Sequence, residues 1–479
     1  MVRTAPHTVE HLWRRACDAA ITFRTGVVDR PAPPRQDYAS SLRAFDAPLP
    51  ASGTDPEEVV DDLVRLADAG LMTPTGARFF GWVIGGSHPA GVAADWLTSA
   101  WGQNAGNHQA SPAASAAETV SARWLLELLD LPREASVGFV TGATMANFTA
   151  LAAARGEVLR RVGWDVERDG LFGAPPVEVV IGAEAHTTVY AALQLLGLGR
   201  ERVTRLPVDD QGRIVVGPAH EVLARLEEPA IVVLQAGHVN TGAFDDFAAL
   251  VPAAAATGAW IHVDGAFGLW ARACDETAGL TSGLEDADSW AVDGHKWLQT
   301  PYDSGFVVVR DERAHRQAMT ISASYLPMSG DGDRDPSHYV PELSRRARGF
   351  ATWTMIRTLG RDGIAAMVAR HCAYARLIAT TLQAEPGVAV LNEVDLNQVL
   401  VRFGDDRRDL DGDRLTRATI ERIRADGVCF TGGAHWLGRE VMRLSVIGFE
   451  TDEGDAVRSA QAVLAAYRHV LESDGQPGS

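Results

Sequence analysis

Short apolar runs alternate with stretches of helical spacing between residue 76 and about residue 310. The runs are bounded by turn residues, which favours strands, and the stretches between them have the amphipathic spacing typical of helices. This alternation predicts a mostly parallel sheet covered by helices on both faces. The predicted strands are Val137–Thr141, Val177–Ile181, Ile231–Leu234, Trp260–Val263, Ser289–Val292 and Gly305–Val309, and the predicted helices are Ala146–Val162, Thr188–Leu196 and Phe244–Ala256.

The hydrophobic pattern changes on either side of this region. Residues 1–75 contain two helical segments but few residues for a core of their own, so we expect a helical arm that packs on another subunit or on the main body. Residues 347–471 begin with a long helical pattern and continue with strands and helices, which predicts a smaller α+β domain. The large domain then spans residues 76–346, and residues 472–479 are expected to be a disordered tail.

Composition narrows the possible partners of the chain. The 479 residues are 46% hydrophobic and 22% charged, as in ordinary globular enzymes, and the net charge of −18 argues against a nucleic-acid or anionic-membrane surface. Four widely separated cysteines indicate neither a disulfide framework nor a zinc site. Neither a secretory signal nor a long apolar run is visible, so we expect a cytoplasmic protein without bound metal.

Lys296 is the only lysine in the chain, although Lys and Arg together number 44. Arginine serves as well as lysine at most surface positions, but it cannot lose its proton in a protein. Position 296 therefore requires an amine, and the most demanding use of an amine is Schiff-base formation with a carbonyl. Chance survival of one surface lysine is the alternative, but the neighbouring sequence Val-Asp-Gly-His-Lys-Trp-Leu is a poor setting for one.

Asp264 directly follows the predicted strand that ends at Val263, 32 residues before Lys296. A carboxylate beside a pyridine nitrogen keeps that nitrogen protonated, which makes the ring a stronger electron sink. A capping or loop aspartate is the alternative reading, but the nearby Lys296 favours the cofactor role.

The segment Thr141–Asn147 joins a predicted strand to a predicted helix and is rich in small residues. Backbone N–H groups at such a helix start bind anions, so the segment suits a phosphate. His186 lies in a similar strand-to-helix loop, where its flat ring could stack on a cofactor. The ring of His295 could donate to the same phosphate.

Together these residues resemble the pyridoxal-phosphate-dependent group II amino-acid decarboxylases, which include the aromatic-amino-acid and glutamate decarboxylases. The resemblance runs from about Arg78 to Ile447. It rests on six spaced motifs, which begin at Phe79, Ser111, Thr141, Ala185, His262 and Asp293. The family implies a fold-type I architecture, a pyridoxal 5'-phosphate cofactor, an amino-acid substrate and a homodimer whose active site lies at the interface.

The family also implies a role for each matching position. Lys296 is expected to carry the cofactor, Asp264 to pair with its ring nitrogen, and His186 and Ala266 to lie on opposite faces of the ring. The phosphate is expected to be held by Gly142, Ala143, Thr144 and His295, with Asp293 close by. The loop 237–244 resembles the family segment at the ring hydroxyl; the family often has threonine where this chain has Val239, and Asn240 is expected to substitute.

The proton donor and the substrate pocket follow less directly from the resemblance. Family members deliver a proton to Cα from a tyrosine on a mobile loop, for which Tyr339 is the candidate here and His338 the alternative. The corresponding stretch, 325–346, includes an acidic loop that we expect to be a lid. Residues expected near the substrate are Trp82, Ile84 and Trp101, which favour an apolar or aromatic side chain, and Arg443, which suits a carboxylate or a structural ion pair.

Three other functions compete with amino-acid decarboxylation. An aminotransferase or an aldehyde-forming enzyme would use the same scaffold and cofactor. A metal hydrolase would use the histidines, but the chain has no His-Glu-x-x-His motif. A non-catalytic binding protein would be expected to lose the lysine rather than to keep it alone.

Overall fold

A computed structural model describes residues 6–320, 334–404 and 411–474 of the chain. Within these ranges no helix is both long and apolar enough to cross a membrane, and no group of His, Cys, Asp and Glu side chains is arranged to hold a metal ion. The acidic loop expected to form a lid falls mainly on residues outside the described ranges, as does most of the predicted tail.

Fifteen helices are described, and most begin with a capping residue or a proline. Asp55, for example, accepts a hydrogen bond from the backbone N–H of Glu57, and Pro56 occupies the first helical position. The helices are α1 Pro6–Gly26, α2 Tyr38–Phe45, α3 Pro56–Ala67, α4 Pro89–Trp101, α5 Pro112–Leu128, α6 Ala143–Arg161, α7 Val166–Asp169, α8 Thr187–Leu195, α9 Val216–Leu223, α10 Phe247–Ala255, α11 Asp275–Ala278, α12 Glu312–Met319, α13 Gly349–Gln383, α14 Gly412–Asp426 and α15 Glu453–Asp474.

Twelve strands form two sheets in the described part of the chain. The strands are β1 Phe79–Phe80, β2 Ser136–Val140, β3 Glu178–Gly182, β4 Thr204–Leu206, β5 Ala230–Gln235, β6 Trp260–Asp264, β7 Ser289–Asp293, β8 Gly305–Val309, β9 Val388–Val390, β10 Gln398–Phe403, β11 Phe430–Trp436 and β12 Arg439–Ser445. The larger sheet has seven strands in the order β2-β8-β7-β6-β5-β3-β4. Only β8 runs against the others, so the sheet is mostly parallel, as predicted.

The smaller sheet has the order β1-β11-β12-β10-β9. Its first strand comes from the other end of the sequence, since Phe79 pairs with Phe430 in parallel register. Residues 79–80 were predicted to begin the large domain, yet they extend the sheet of the small domain. The sequence pattern misses this because a two-residue strand carries almost no periodicity.

Apolar side chains cover both faces of the larger sheet. Trp290 and Ala291 are neighbours in β7, and they belong to clusters on opposite faces because successive strand residues alternate. A third cluster fills the small domain between its sheet and the helices α13, α14 and α15.

The carboxyl ends of the six parallel strands lie at one edge of the larger sheet. β6 ends at Asp264, β7 ends at Asp293, and β2 is followed by Gly142 at the start of α6. Ligands collect at this edge in open α/β sheets, because the loops and helix starts that follow the strands converge there. The predicted polar residues therefore come together here although they are far apart in sequence.

Candidate active site

The turn after β7 carries Lys296. Its Nζ lies 2.8 Å from Oδ2 of Asp293, and the other oxygen of this carboxylate accepts the backbone N–H of Ala143 at 2.6 Å. Asp293 is 2% exposed. The same buried carboxylate thus contacts both the lysine amine and the first residue of α6.

Asp264 lies at the end of β6 with 3% of its surface exposed. Its Oδ1 accepts the backbone N–H of Ala266 at 3.3 Å, and its Oδ2 accepts Nδ2 of Asn147 at 3.2 Å. No described residue forms an ion pair with this carboxylate. The carboxylate of Asp264 is buried and accepts hydrogen bonds only from these neutral donors. It therefore suits a protonated ring nitrogen, which would supply the missing positive charge.

A chain of hydrogen bonds continues behind Asp264. Oδ1 of Asn147 lies 2.9 Å from Nε2 of His262, whose Nδ1 lies 2.9 Å from the hydroxyl of Ser289. That hydroxyl also accepts the indole N–H of Trp260 at 2.9 Å. Since Nδ2 of Asn147 donates to Asp264, its Oδ1 is the acceptor for Nε2 of His262, and Nδ1 of the neutral imidazole then accepts the serine proton. Every donor in the chain points towards Asp264, which favours its charged form.

The imidazole of His262 must be neutral to donate through Nε2 and accept at Nδ1. It is fully buried, and burial lowers the pKa of its imidazole to about 3. The metal-ligand alternative for this histidine disagrees with its contacts, because both ring nitrogens already have partners.

The start of α6 forms an anion cradle next to the lysine. Gly142 precedes the helix without any side-chain cap, and a Cβ atom there would lie 3.1 Å from Cε1 of His295. Nδ1 of His295 is buried and has no hydrogen-bond partner among the described residues. Burial lowers the pKa of His295, with Asp293 opposing the shift and Lys296 adding to it. Thr144, the second residue of α6, is exposed.

His186 caps α8 at the same edge. Its Nδ1 accepts the backbone N–H of Thr188 at 3.3 Å and lies 2.9 Å from the Thr188 hydroxyl. Nδ1 is thus an acceptor, which leaves Nε2 as the nitrogen that carries the proton. Burial is the main cause that lowers the pKa of His186; Lys296 lowers it further and Asp264 opposes the shift.

Arg443 reaches the site from β12 of the small domain. Its Nη1 donates to the carbonyl of Val239 at 3.1 Å and to Oδ1 of Asn240 at 3.0 Å, whereas its buried Nε has no partner among the described residues. Burial lowers the pKa of this guanidinium to about 10, so it remains charged at neutral pH. Because no described carboxylate pairs with it, the structural ion pair considered from the sequence is not formed.

These residues fit pyridoxal phosphate. The cradle at Gly142 and the partnerless nitrogen of His295 suit a phosphate, Asp264 suits a ring nitrogen, and Lys296 suits a carbonyl carbon. The family model described as the pyridoxal-dependent decarboxylase conserved domain matches residues 39–404. The chain belongs to this family. It is a pyridoxal-phosphate-dependent amino-acid decarboxylase.

Curated relatives of this decarboxylase cover most of its length. An aromatic-L-amino-acid decarboxylase of Bacillus atrophaeus is 27% identical over 359 residues, which is 74% of this chain and 72% of that protein. Tryptophan decarboxylase 1 of Oryza sativa subsp. japonica is 28% identical, with coverages of 81% and 79%. A phenylacetaldehyde synthase of Arabidopsis thaliana is 25% identical, with coverages of 87% and 87%.

Solved structures share the fold of the decarboxylase. The crystal structure of Oryza sativa TDC with PLP and tryptamine superposes with a TM-score of 0.90 at 22% identity and covers 98% of this chain and 100% of that one. Mouse CSAD gives a TM-score of 0.88 at 19% identity, with coverages of 96% and 99%. The predicted fold-type I architecture is therefore confirmed.

Tyr339 lies away from Lys296 within the same chain. Its hydroxyl donates to Glu312, and its ring lies 5.4 Å from that of His315. The carbonyl of Tyr339 lies beside Gly138 in the middle of β2, and His315 is hydrogen bonded to Ser136 at the beginning of that strand, so Tyr339 packs on β2 before the strand reaches Gly142. This placement gives no support to Tyr339 as the proton donor.

His338 does not reach the lysine either. It lies within 3.4 Å of Arg316 in α12, beside Tyr339. Both residues were selected from the sequence because their loop follows Lys296 and ends at an Arg-Arg pair. The spacing of a long loop does not determine which way the loop folds, and in the single chain both residues lie beside α12.

The residues expected near the substrate are divided between two places. Trp82 and Ile84 precede Gly85, whose backbone N–H donates to the carbonyl of His295 at 2.9 Å, so they lie close to the lysine turn. Trp101 is instead the last residue of α4 and packs on Phe350 with ring centroids 5.2 Å apart. The helix rises about 1.5 Å per residue, which carries Trp101 well away from the lysine of its own chain.

Several residues of the site were not selected from the sequence. Asn147 was quoted as part of a motif but was given no role, and His262 was considered as a core residue, a support for the cofactor or a metal ligand without a choice among the three. One signal was available for Asn147, since an amide in an otherwise apolar, alanine-rich helix needs a buried partner. Nothing local identified Ser289 or Gln299, whose partners come from distant segments.

Proposed function

We propose that this decarboxylase converts an L-amino acid with an aromatic or apolar side chain to the amine and carbon dioxide, and that it works as a homodimer in the cytoplasm. The observation that carries the substrate proposal is the partly buried guanidinium of Arg443, which pairs with no described carboxylate, combined with an aromatic cluster next to the lysine turn. A substrate with one carboxylate and an apolar side chain satisfies both.

Arg443 supports recognition of one carboxylate. Its charge is buried, and its bonds to Val239 and Asn240 neutralise none of it, because both acceptors are uncharged. A carboxylate on the substrate would supply the missing charge. A second carboxylate, as in glutamate or aspartate, would need a second cation beside Arg443, and the described hydrogen bonds to Val239 and Asn240 include none from another arginine.

An aromatic cluster supports the choice of side chain. Phe79 and Phe430 stack with ring centroids 4.8 Å apart and an interplanar angle of 5°, and Trp82 lies 5.8 Å from Phe430. The indole of Trp82 is 52% exposed, which leaves one side of the cluster open to a further ring or aliphatic chain.

The proposed roles follow from the contacts described above. When it is bound, pyridoxal phosphate draws the electrons of the breaking Cα–carboxylate bond into its ring. Lys296 would hold the cofactor through Nζ, and the first turn of α6 with His295 would hold its phosphate. Asp264 would keep the ring nitrogen protonated, supported by Asn147 and His262. His186 and Ala266 would confine the ring from its two faces, and Asn240 would contact the ring hydroxyl.

Product analysis tests the proposed reaction. The purified protein, loaded with pyridoxal phosphate, should be incubated separately with L-tryptophan, L-tyrosine, L-phenylalanine, L-glutamate and L-2,4-diaminobutyrate. The proposal expects an amine and one equivalent of carbon dioxide from an aromatic substrate. Turnover of only glutamate or diaminobutyrate would contradict the proposed substrate class. An aldehyde with ammonia, or a keto acid, would contradict the proposed outcome and favour the aldehyde-forming or aminotransferase alternatives.

The N-terminal arm supports the homodimer. Its helices α2 and α3 bury none of their residues in the single chain. The arm instead exposes a series of large apolar side chains, namely Trp13, Ile21, Tyr38, Leu42, Phe45, Leu49, Val59, Leu63 and Val64. So much exposed apolar surface is unfavourable in water, and a second copy of the chain would cover it.

A charge placed within this surface tests the homodimer. Leu63→Arg should shift the molecular mass measured by light scattering from that of two chains to that of one, because a buried guanidinium without a partner opposes association. Leu195→Arg, at a similarly exposed leucine outside the arm, is the control that should leave the mass unchanged. A single-chain mass for the unmodified protein would contradict the proposal.

The proposed cytoplasmic location is supported by the four cysteines of the chain. All four are free thiols, which suit a reducing compartment.

A further inference from the structure

Gln299 has a backbone conformation that glutamine rarely adopts. It follows Lys296 by three residues, it is 0% exposed, and its φ angle is +58°. Left-handed backbone is unfavourable for a residue with a Cβ atom, and such strain persists only where the surrounding structure enforces it. A glycine would avoid this cost, so the side chain of Gln299 must offset it.

The side-chain amide of Gln299 joins two other segments of the chain. Oε1 accepts the backbone N–H of Gly86 at 2.7 Å, and Nε2 donates to the carbonyl of Ile447 at 2.7 Å. The backbone carbonyl of Gln299 accepts the N–H of His88 at 2.9 Å. Gly86 lies in the segment before α4, and Ile447 lies in the segment after β12. The side chain of Gln299 therefore connects the lysine turn to both of these segments.

Adjacent contacts restrain the same turn. Gly85 donates to the carbonyl of His295 at 2.9 Å, and a Cβ atom at Gly85 would lie only 2.3 Å from the carbonyl oxygen of Lys296. The indole N–H of Trp297 donates to His371, whose other ring nitrogen lies 3.0 Å from the carbonyl of Gly448. The lysine turn is therefore connected to the segment that follows β12 directly through Gln299 and indirectly through His371.

We propose that Gln299 is a positioning residue for Lys296. Its amide fixes the backbone of the lysine turn against the segment that leaves β12, the strand on which Arg443 lies. The lysine amine and the arginine thus keep a constant separation, although they belong to different domains. The inference depends on the proposed role of Lys296, but it can be tested without knowledge of the substrate.

Gln211 offers a matched control. It is also buried, its Nε2 donates to the carbonyl of Leu391 at 3.2 Å, and its Oε1 accepts the backbone N–H of Glu393 at 3.1 Å. This amide also connects the large domain to two backbone groups of the small domain, but it does so away from the lysine turn. Gln211→Met and Gln299→Met therefore remove the same kind of bridge at two different positions.

Two measurements distinguish positioning from a purely structural role. The first is hydrogen–deuterium exchange of the apo protein in a peptide covering residues 83–90. The second is the rate at which hydroxylamine, which competes with Lys296 for the carbonyl of the cofactor, releases pyridoxal phosphate from the loaded protein. Gln299→Met should accelerate exchange in this peptide and change the release rate at least fivefold. Gln211→Met should leave both within twofold of the unmodified protein.

Equal effects of the two variants, or a release rate for Gln299→Met within twofold of the unmodified protein, would overturn the proposal. If Gln299→Met fails to fold, Gln299→Gly provides the test, because glycine removes the amide and accepts the positive φ without strain. It should change the release rate in the same direction, and an unchanged rate would overturn the proposal. A protein that never binds pyridoxal phosphate would instead contradict the proposed role of Lys296, so the two failures are distinguishable.

Discussion

The Nζ atom of Lys296 lies 2.8 Å from Oδ2 of Asp293, whose other oxygen accepts the backbone N–H of Ala143. This contact joins the end of β7 to the beginning of α6, two elements that are about 150 residues apart in sequence. The lysine and the anion cradle are therefore held together by one buried carboxylate. A cofactor that is fixed at its carbonyl carbon and at its phosphate requires these two features side by side.

Asp264→Asn should lower kcat on the order of 100-fold or more while the protein still folds. The amide keeps the shape of the carboxylate but cannot hold a positive charge on the ring nitrogen, so the electron sink is weakened. Steady-state kinetics with the substrate identified by product analysis measures this loss. An Asp264→Asn protein with unchanged kcat would show that the carboxylate is not the ring partner.

Asn147→Leu should have a smaller effect in the same direction. Hydrogen bonds to charged groups contribute about 1.5–3 kcal/mol, so loss of the bond to Asp264 should lower kcat about tenfold. Thr149→Val, another buried polar-to-apolar change in α6, is the matched control, because the Thr149 hydroxyl has no partner among the described residues. Equal kcat values for the two variants would argue against the hydrogen-bond chain.

Arg443→Met should raise KM about 10- to 100-fold, because it removes the guanidinium proposed to meet the substrate carboxylate. Arg439→Met, on the exposed end of the same strand, should leave KM unchanged. The same KM increase in both variants would point to a general weakening of β12 rather than to a lost contact with the substrate.

The unfolding free energy should fall as the pH decreases from about 6.5 towards 3, in part because of His262. Burial lowers the pKa of this histidine to about 3 in the folded protein, so in this range only the unfolded chain binds the proton. Each such group contributes a slope of up to about 1.4 kcal/mol per pH unit, with stability lost on the acid side. His262→Gln should reduce the slope measured by urea unfolding, whereas a change at the exposed His435 should not.

Much of the fold and part of the site could be predicted from sequence, because their signals are local. The strands around Val263 and Val292 stand out as buried apolar runs, and Asp264 and Lys296 follow them directly, so strand ends identified the edge of the sheet at which they meet. Trp82 and Ile84 were expected near the substrate from a family motif, which stays a prediction; the structure shows that the neighbouring Gly85 is bonded to His295.

The features that were missed depend on contacts over long distances in sequence. The bond of Gln299 to Ile447 spans 148 positions, and that of His262 to Asn147 spans 115. No periodicity or spacing encodes such pairs in one sequence. The contacts of Tyr339 with Glu312 and His315 could not be predicted for a related reason, since they depend on how a loop folds back on the sheet.

The most direct test of this account is the covalent state of Lys296. Protein loaded with pyridoxal phosphate should be yellow, and reduction with borohydride followed by peptide mass spectrometry should locate the cofactor on Lys296. Lys296→Ala should lose both the visible band and the labelled peptide. A protein that stays colourless with added pyridoxal phosphate, or one in which Lys296→Ala keeps the band, would contradict the account.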